Sequence, residues 1–261
     1  MENLSFGRIV EFIDLQARMK MKAQSNKLFL SYLWWILEPF LYVSLFYFVF
    51  GLIMKRGGGE EFVLFLVVGK VVFMWFSKGV VMGSTSLRQN RGIITLRSIP
   101  KWIFPVVSVQ IATYKSVVAL GVVLAVMLLA GYVKPDNWWQ LIPLLMITYI
   151  LISAVACFLS MLVAVAEDFS QIISLLMIGL LFSSGIFWDI NTISDEQLRN
   201  LVMTINPLAG LIDSYRTVIL QNQLLELMRI YPAIGTGVTL WIMNILALSH
   251  FNNKITRLVI S

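Results

Sequence analysis

Six uninterrupted runs of apolar residues, each close to the length that a bilayer requires, constrain this chain more than any other feature. A helix rises about 1.5 Å per residue, so the roughly 30 Å hydrocarbon core of a bilayer takes about 20 residues. The runs cover residues 33–54, 62–83, 103–133, 141–166, 172–188 and 230–250. Only helices and closed barrels satisfy backbone groups in lipid, and these runs lack the alternation of barrel strands. We therefore predict an all-α membrane protein whose transmembrane domain, residues 33–261, contains six transmembrane helices.

Composition excludes an ordinary soluble domain and several kinds of active site. Of the 261 residues, 59% are hydrophobic and only 13% are charged, whereas soluble domains are about a quarter charged. The net charge is +6, but the basic residues are not gathered on one soluble face, so we expect no nucleic-acid partner. One Cys and one His cannot form a zinc site. Since no P-loop, zinc-protease motif or nucleophile elbow occurs either, we predict no catalytic, cofactor-binding or metal-binding residue in this chain.

The distribution of lysine and arginine predicts that both termini are cytoplasmic. In that orientation eleven basic residues lie in inside segments and six in outside segments. An excess of basic residues in cytoplasmic loops is the general rule for membrane proteins. Lys55 and Arg56, which would lie outside, are a mild exception.

Residues 1–32 predict a cytoplasmic amphipathic helix before the first span. Apolar side chains share one helical face, and most charged side chains lie off it. The apolar positions are Phe6, Ile9, Val10, Ile13 and Ala17. Such a helix either lies at the membrane interface or packs on a soluble partner, and the two are compatible.

The loop between the second and third runs is basic and contains no acidic residue. Its residues 84–97, here called the basic loop, include Arg88, Arg91 and Arg97 together with several apolar side chains. A cytoplasmic loop needs such charges for topology alone. The apolar side chains also favour a second interpretation, in which the loop docks on a partner.

The longest outside segment, residues 189–229, is too long for a simple connection. Ser194 and Gln197 have the spacing of a capping box, and apolar residues then repeat at helical intervals up to Ile205. Asn206 and Pro207 should end that helix, and a second apolar-faced helix follows. We predict two short amphipathic helices that form a re-entrant or membrane-capping hairpin near the outer surface.

Four charged residues fall inside the apolar runs, where each is a functional candidate because an unpaired charge is costly in lipid. Glu38 and Lys78 lie at similar depth near the inner ends of their runs. They form an ion pair, or Lys78 extends to the interface instead. Lys70 and Lys115 are deeper, which favours a water-filled interior that tolerates or uses positive charge.

Aromatic residues crowd the first run. Tyr42 and Phe46 share a helical face at i and i+4, together with Pro39. Aromatic rings stack on the apolar faces of sugars, so this face would suit a path for a glycan. Contact of both rings with lipid or neighbouring helices is the alternative.

Three passages resemble the membrane subunit of a type-2 ATP-binding-cassette exporter, in the branch that exports lipid-linked O-antigen, capsular or teichoic-acid polysaccharides. They are SYLWWILEPFLYVSLFYFVFG at 31–51, IPKWIFPVVSV at 99–109 and NPLAGLIDSYRTVIL at 206–220. The resemblance covers nearly the whole chain in order and leaves the particular polymer open.

This resemblance implies a homodimer in the bacterial inner membrane, bound to membrane lipids and to two copies of a separate ATPase that uses ATP and Mg²⁺. The implied substrate is a polymer linked to undecaprenyl pyrophosphate, which moves through a path at the dimer centre. By position, residues 5–27 match the interfacial helix, 84–97 the coupling helix and 189–225 the periplasmic gate helices. The implied coupling residues are Arg88, Asn90, Arg91 and Arg97. The implied gate residues are Trp188, Asn206, Pro207, Tyr215 and Arg216.

Three other classes of protein remain as alternatives. A drug or lipid exporter of the same family would share these features. An ion-coupled secondary transporter would usually show more intramembrane acids or an internal repeat. A membrane glycosyltransferase would need clustered carboxylates at the membrane face, where only Glu167 and Asp168 stand together.

Overall fold

A computed structural model of the chain describes residues 6–25, 31–49, 59–96 and 99–260, and within these ranges the regular structure is helical. The α-helices are α1 (Phe6–Ser25), α2 (Ser31–Phe46), α3 (Gly59–Ser84), α4 (Ser86–Gln89), α5 (Arg91–Leu96), α6 (Ile103–Leu129), α7 (Leu141–Val165), α8 (Phe169–Ser183), α9 (Glu196–Ile205), α10 (Pro207–Ile219) and α11 (Leu227–Ile260).

Four of these helices are long and apolar enough to cross a membrane. They are α3, α6, α7 with the short turn before it, and α11 as far as His250. They correspond to the second, third, fourth and sixth apolar runs. Helix α2 is a shorter apolar helix, and the rest of the first run, from residue 50, lies outside the described residues.

Helix α8 differs from the fifth predicted span, residues 172–188. It starts earlier and ends at Ser183, and its 15 residues cover about 22 Å. Gly185 follows with a φ of 69°, the left-handed conformation that commonly ends a helix. A helix of this length is shorter than the hydrocarbon core, so a sixfold crossing does not follow from helix length alone.

Helix α3 forms the centre of the molecule. It packs against α2, α6, α7 and α10, and 72% of its most apolar window is buried, against 22% for α11. Val68, Val72 and Phe76 belong to the main hydrophobic core. Because α3 is enclosed by other helices, polar or charged groups on it face protein rather than lipid over much of their surface.

Helix α1 lies against α6 rather than on lipid alone. Ile13 and Ala17 are buried in a cluster with Ile103 and Val107. The expected apolar face is therefore partly correct, although Val10, on the same predicted face, is 50% exposed. The protein itself therefore covers only part of the apolar face of α1.

Residues 189–229 contain two short helices, but their details differ from the prediction. The first is capped by Asp195 rather than by Ser194, because the Asp195 carboxylate accepts hydrogen bonds from the backbone N–H groups of Gln197 and Leu198. A carboxylate cap also suits the positive end of the helix dipole. The predicted break is confirmed, since α9 ends at Ile205 and α10 begins at Pro207.

These two helices also differ in how much of their surface is buried. Along α9, the apolar residues Leu198, Leu201 and Ile205 are 49%, 54% and 74% exposed. Every residue of α10 from Leu208 to Ile219 is buried, its polar residues included. Helix α10 is thus a core element packed between α3, α7 and α11, not a surface amphipathic helix. The function of the pair as a gate stays a prediction.

Candidate functional site

The four charged residues of the apolar runs lie where α2 packs against α3 and α6. Lys78 on α3 donates a hydrogen bond from Nζ to a carboxylate oxygen of Glu38 on α2. Lys70, two turns earlier, places Nζ 4.2 Å from the centre of the Tyr42 ring. Lys115 lies on α6, which packs against both α2 and α3. We call this surface the lysine strip; its members are Glu38, Tyr42, Lys70, Lys78 and Lys115.

The contacts with α2 bring together two lysines that start far apart on α3. Lys70 and Lys78 are separated by about 12 Å along their helix. Their partners Tyr42 and Glu38 are separated by one turn, about 6 Å. Lys70 and Lys78 thus contact residues that stand only one helical turn apart on α2.

Lys70 needs compensation because it is 6% exposed near the middle of a membrane-spanning helix. A lysine at such a depth costs about 2.5–3.5 kcal/mol. A desolvated ammonium over an aromatic ring recovers about 2 kcal/mol. The Tyr42 ring thus offsets much of the cost, and the Phe73 ring, 5.7 Å from Nζ, adds a more distant contact.

The strip is open at the surface of the single chain. Tyr42 is 39% exposed, and the side chain of Lys78 is 42% exposed beside Glu38. The sequence predicts that Tyr42 faces a central path, and this placement stays a prediction. The side chain of Phe46 lies outside the described residues.

Helix α1 is joined to the neighbouring helices by polar contacts. Gln24 accepts a hydrogen bond from Nζ of Lys115 at 3.0 Å, and Asp14 accepts one from the Tyr114 hydroxyl. The tyrosine hydroxyl holds the pKa of the Asp14 carboxyl below its usual range. These contacts connect α1 to the same helix, α6, that contributes Lys115 to the strip.

The two arginines of the basic loop that the structure describes differ in their surroundings. Arg88 donates from Nε to the Val163 carbonyl at 2.9 Å and from Nη1 to Glu167 at 3.3 Å, so it holds α4 against the end of α7. Arg91 is exposed at the start of α5. Arg97 lies outside the described residues. Of the two coupling arginines that the structure describes, Arg91 is therefore the one whose charge is exposed and open to a partner.

Asn90 also serves the chain's own structure. It is 8% exposed, donates from Nδ2 to the Ser86 carbonyl at 2.6 Å, and accepts from Nζ of Lys20 at 3.0 Å. Burial lowers the pKa of the Lys20 ammonium. Asn90 thus connects the basic loop to α1.

Arg216 is the most enclosed charged residue of the predicted gate, at 3% exposed. Its guanidinium donates to the carbonyls of Phe65, Gly185 and Ile186 at 3.1, 2.7 and 3.1 Å. The Phe65 ring lies 3.3 Å from Cζ. A hydrogen bond from a charged donor contributes about 1.5–3 kcal/mol, so three of them offset much of the cost of burying the charge. Arg216 joins α10 to α3 and to the turn after α8.

The other predicted gate residues also make internal contacts. Tyr215 is fully buried, with its hydroxyl 3.1 Å from that of Thr148 on α7. Asn206 donates to the Ser184 hydroxyl at 2.9 Å, and Trp188 donates from Nε1 to the Phe182 carbonyl at 2.9 Å. Pro207 is the first residue of α10, where its missing N–H is not needed. The Asn206 contact ties the start of the α8–α9 connection to the residue before α10, the Trp188 contact ties that connection to α8, and the Tyr215 contact ties α10 to α7.

Comparison with known proteins identifies the family of this chain. The ABC-2 type transporter family matches residues 23–220, about three quarters of the chain. The chain belongs to the ABC-2 type transporter family. The matched segment includes the lysine strip, the basic loop and α10, and it ends before α11.

Individual ABC-2 relatives extend the similarity along the chain. An O-antigen export system permease protein RfbA of Klebsiella pneumoniae is 24% identical over 249 residues, which cover 95% of this chain and 93% of the relative. The protein of the same name from Myxococcus xanthus is 26% identical over 209 residues, 78% of each chain. The polysialic acid transport protein KpsM of Escherichia coli is 24% identical over 230 residues, 85% of this chain and 87% of KpsM.

Sequence reasoning missed several residues that organise this ABC-2 subunit. Asp213 forms a buried ion pair with Arg229 and accepts from Asn191 at 3.1 Å. The sequence signal for this ion pair was the occurrence of an acidic and a basic residue, Asp213 and Arg229, in a largely apolar segment. Gln24 could not be found in this way, because a lone polar residue at the end of an amphipathic helix indicates no particular partner.

Proposed function

We propose that this chain is the permease subunit of an ABC exporter that moves a lipid-linked polysaccharide across the bacterial inner membrane. The observation that carries the proposal is the end-to-end similarity to proteins named for O-antigen export, supported by the similarity to KpsM. The names of these relatives refer to different polysaccharides. The class of substrate, rather than one polymer, is therefore what transfers to this chain.

In this proposal two copies of the chain form the path, and two copies of a separate ATPase supply the energy from ATP and Mg²⁺. A polymer cannot be enclosed in one pocket, so it threads through a continuous path whose walls hold each sugar weakly. Tyr42 offers such a wall because its exposed ring has an apolar face and few rotamers to lose. The pyrophosphate of an undecaprenyl carrier would be the anionic end of this substrate.

Coupling to the ATPase is assigned to the basic loop. Its exposed arginine, Arg91, supplies a charge for the partner, while Asn90 and Arg88 hold the loop to α1 and α7. Both termini are cytoplasmic in this proposal, which places α1 and the basic loop on the ATPase side. The short helices α9 and α10 then lie on the outer side, where a gate for the polymer is required.

Deletion of the gene tests the proposed substrate class. We expect loss of a surface polysaccharide and accumulation of its undecaprenyl-linked form inside the cell, both restored by the wild-type gene. Extracted lipid-linked glycan is measured by mass spectrometry, and surface glycan by gel electrophoresis. Changed drug tolerance or lipid distribution, with surface and lipid-linked glycan both unaltered, would instead favour the drug or lipid exporter.

A Tyr42→Leu variant tests the path. Leucine keeps the apolar bulk but removes the ring that stacks on sugars and on Lys70. We expect slower export with normal membrane insertion and ATPase binding. Tyr42→Phe is the matched control because it keeps the ring, and its export should remain near wild type. Equal export by both variants would place the path elsewhere.

A further inference from the structure

Helix α9 turns its polar face toward a cleft in the protein and its apolar face away from it. Leu198, Leu201 and Ile205 are exposed, and their spacing places them on one face of the helix. The opposite face carries mostly polar side chains, which line a cleft of about 560 Å³ between α9 and the start of α11. A surface helix of a soluble protein has the reverse arrangement, with its apolar face on the core. The cleft behind α9 is therefore suited to polar contents.

Both walls of this cleft supply hydrogen-bonding groups. Helix α9 contributes Arg199, Asn200 and Thr204, and the opposite wall contributes Glu226 and Arg229. Two guanidinium groups, an amide, a hydroxyl and a carboxylate can donate and accept hydrogen bonds at the same time. The volume of the cleft lies within the range of about 300–1,000 Å³ that is usual for ligand sites.

The wall opposite α9 is held in place by a buried carboxylate. Asp213 on α10 is 4% exposed, forms an ion pair with Arg229, and accepts a hydrogen bond from Asn191 at 3.1 Å. Arg229 also donates from Nε to Glu226 at 2.7 Å. Helix α10 approaches closely at Gly210, where a β-carbon would collide with the Arg229 carbonyl. This wall is thus ordered before a ligand binds, which lowers the entropic cost of binding.

The mixture of groups in the cleft indicates what kind of ligand fits. A simple anion would be repelled by the carboxylates Glu196 and Glu226, and a simple cation by the two arginines. Sugar hydroxyls are neutral, and each can donate and accept. The apolar C–H faces of a sugar ring can rest on Met203 and Pro232, which also line the cleft. A carbohydrate therefore matches both the polar and the apolar parts of the lining.

We propose that the cleft between α9 and the start of α11 binds a short segment of the exported polysaccharide. The choice of this ligand rests on the proposed function. Each hydrogen bond to a sugar hydroxyl replaces one to water, so its net contribution is small. Such a site holds a passing chain in position and still releases it.

Cysteine labelling of the purified full chain in nanodiscs tests whether the cleft is open to water. The wild-type chain is the blank, because its single cysteine, Cys157, is buried. Thr204→Cys places a thiol in the cleft, and Lys134→Cys is the matched control at an exposed position between α6 and α7. Both thiols should react readily with a charged methanethiosulfonate reagent. No reaction at residue 204 would overturn the proposal.

The surface polysaccharide of the parent strain, released from its lipid by mild acid, is the probe for binding. At about ten times the Kd found by titration, it should slow the reaction at residue 204 about tenfold. The reaction at residue 134 should not change. Adding Arg199→Met should weaken the affinity about tenfold, because a hydrogen bond from a charged donor is lost. Polyethylene glycol of similar length controls for crowding.

Three results would overturn the proposal. They are equal labelling of residue 204 with and without polysaccharide, equal protection by polyethylene glycol, and an unchanged affinity in the Arg199→Met variant.

The cleft and the proposed function can fail separately. Gene deletion tests whether the chain exports the polysaccharide, whereas labelling tests whether the cleft binds it. Loss of surface polysaccharide on deletion, without protection of residue 204, would reject the cleft alone. Unaltered surface and lipid-linked polysaccharide on deletion would reject the proposed function and, with it, this choice of ligand.

Discussion

The guanidinium of Arg216 occupies the space beside Gly69 that a β-carbon at position 69 would fill. Helix α10 can therefore approach α3 only because residue 69 has no side chain. The three carbonyl acceptors of Arg216 fix the guanidinium in that space. A glycine in the central helix and an arginine 147 positions later are thus parts of one contact.

We expect Gly69→Ala to destabilise the protein by about 1–3 kcal/mol, the usual cost of overpacking a core. The new methyl group must displace the guanidinium and weaken its hydrogen bonds. Thermal unfolding in detergent measures the change. Gly121→Ala is the control, because a β-carbon at this position on α6 would meet no other group within 4 Å. An unchanged melting temperature for Gly69→Ala would show that the contact contributes little to stability.

The Glu38–Lys78 pair should behave as a coupled unit in a double-mutant cycle. Glu38→Gln leaves the Lys78 charge without its carboxylate, so it should lower the free energy of unfolding. Adding Lys78→Met should recover part of that loss. Because the Lys78 side chain is 42% exposed, we expect a coupling energy of about 1 kcal/mol rather than that of a fully buried pair. Strictly additive losses would mean that the two charges do not stabilise each other.

The two arginines of the basic loop should give different phenotypes. Arg91→Glu should weaken ATPase binding and uncouple ATP hydrolysis from export without lowering the melting temperature, since Arg91 is exposed. Arg88→Glu should lower the melting temperature as well, because its contacts with Val163 and Glu167 are lost. Co-purification with the ATPase and thermal unfolding separate the two effects. Normal coupling in Arg91→Glu would remove this residue from the docking surface.

The contact between Tyr114 and Asp14 predicts a pH-dependent stability. Since the hydroxyl holds the Asp14 pKa below its unfolded value, near 4, the stabilisation is complete above that pH and disappears as the pH falls through the lower, folded value. The melting temperature of Tyr114→Phe should therefore be below wild type at pH 7, with a smaller difference at pH 3. In an Asp14→Asn background the effect of Tyr114→Phe should not vary with pH. A pH-independent difference in the wild-type background would contradict this assignment.

Periodicity and charge predicted the parts of this fold that depend on one segment at a time. The apolar runs of α3, α6, α7 and α11 are long enough to identify spanning helices by themselves, and proline at 207 marked the start of α10. The length of α8 was not predictable in this way, because its apolar run continues past Ser183 and only the left-handed turn at Gly185 ends the helix.

Contacts between distant segments were harder to anticipate. Glu38 and Lys78 were suggested as partners because their depths agreed, and opposite charges in lipid have few alternatives. The Tyr42–Lys70 contact had no such signal, since an aromatic ring can serve many neighbours. The burial of α10 was also not predictable from the sequence. Charged residues such as Asp213 and Arg216 indicate an exposed face unless their partners in other segments are known.

Lys20 and Gln24 stand one turn apart on α1, and each is hydrogen-bonded to a different part of the molecule. One turn of helix is mechanically stiff, so it carries force along its axis instead of absorbing it. The Asn90 end and the Lys115 end therefore cannot shift independently while both hydrogen bonds persist. A displacement of the basic loop would therefore be transmitted through α1 to Lys115 on α6, with no need for the central helix to bend.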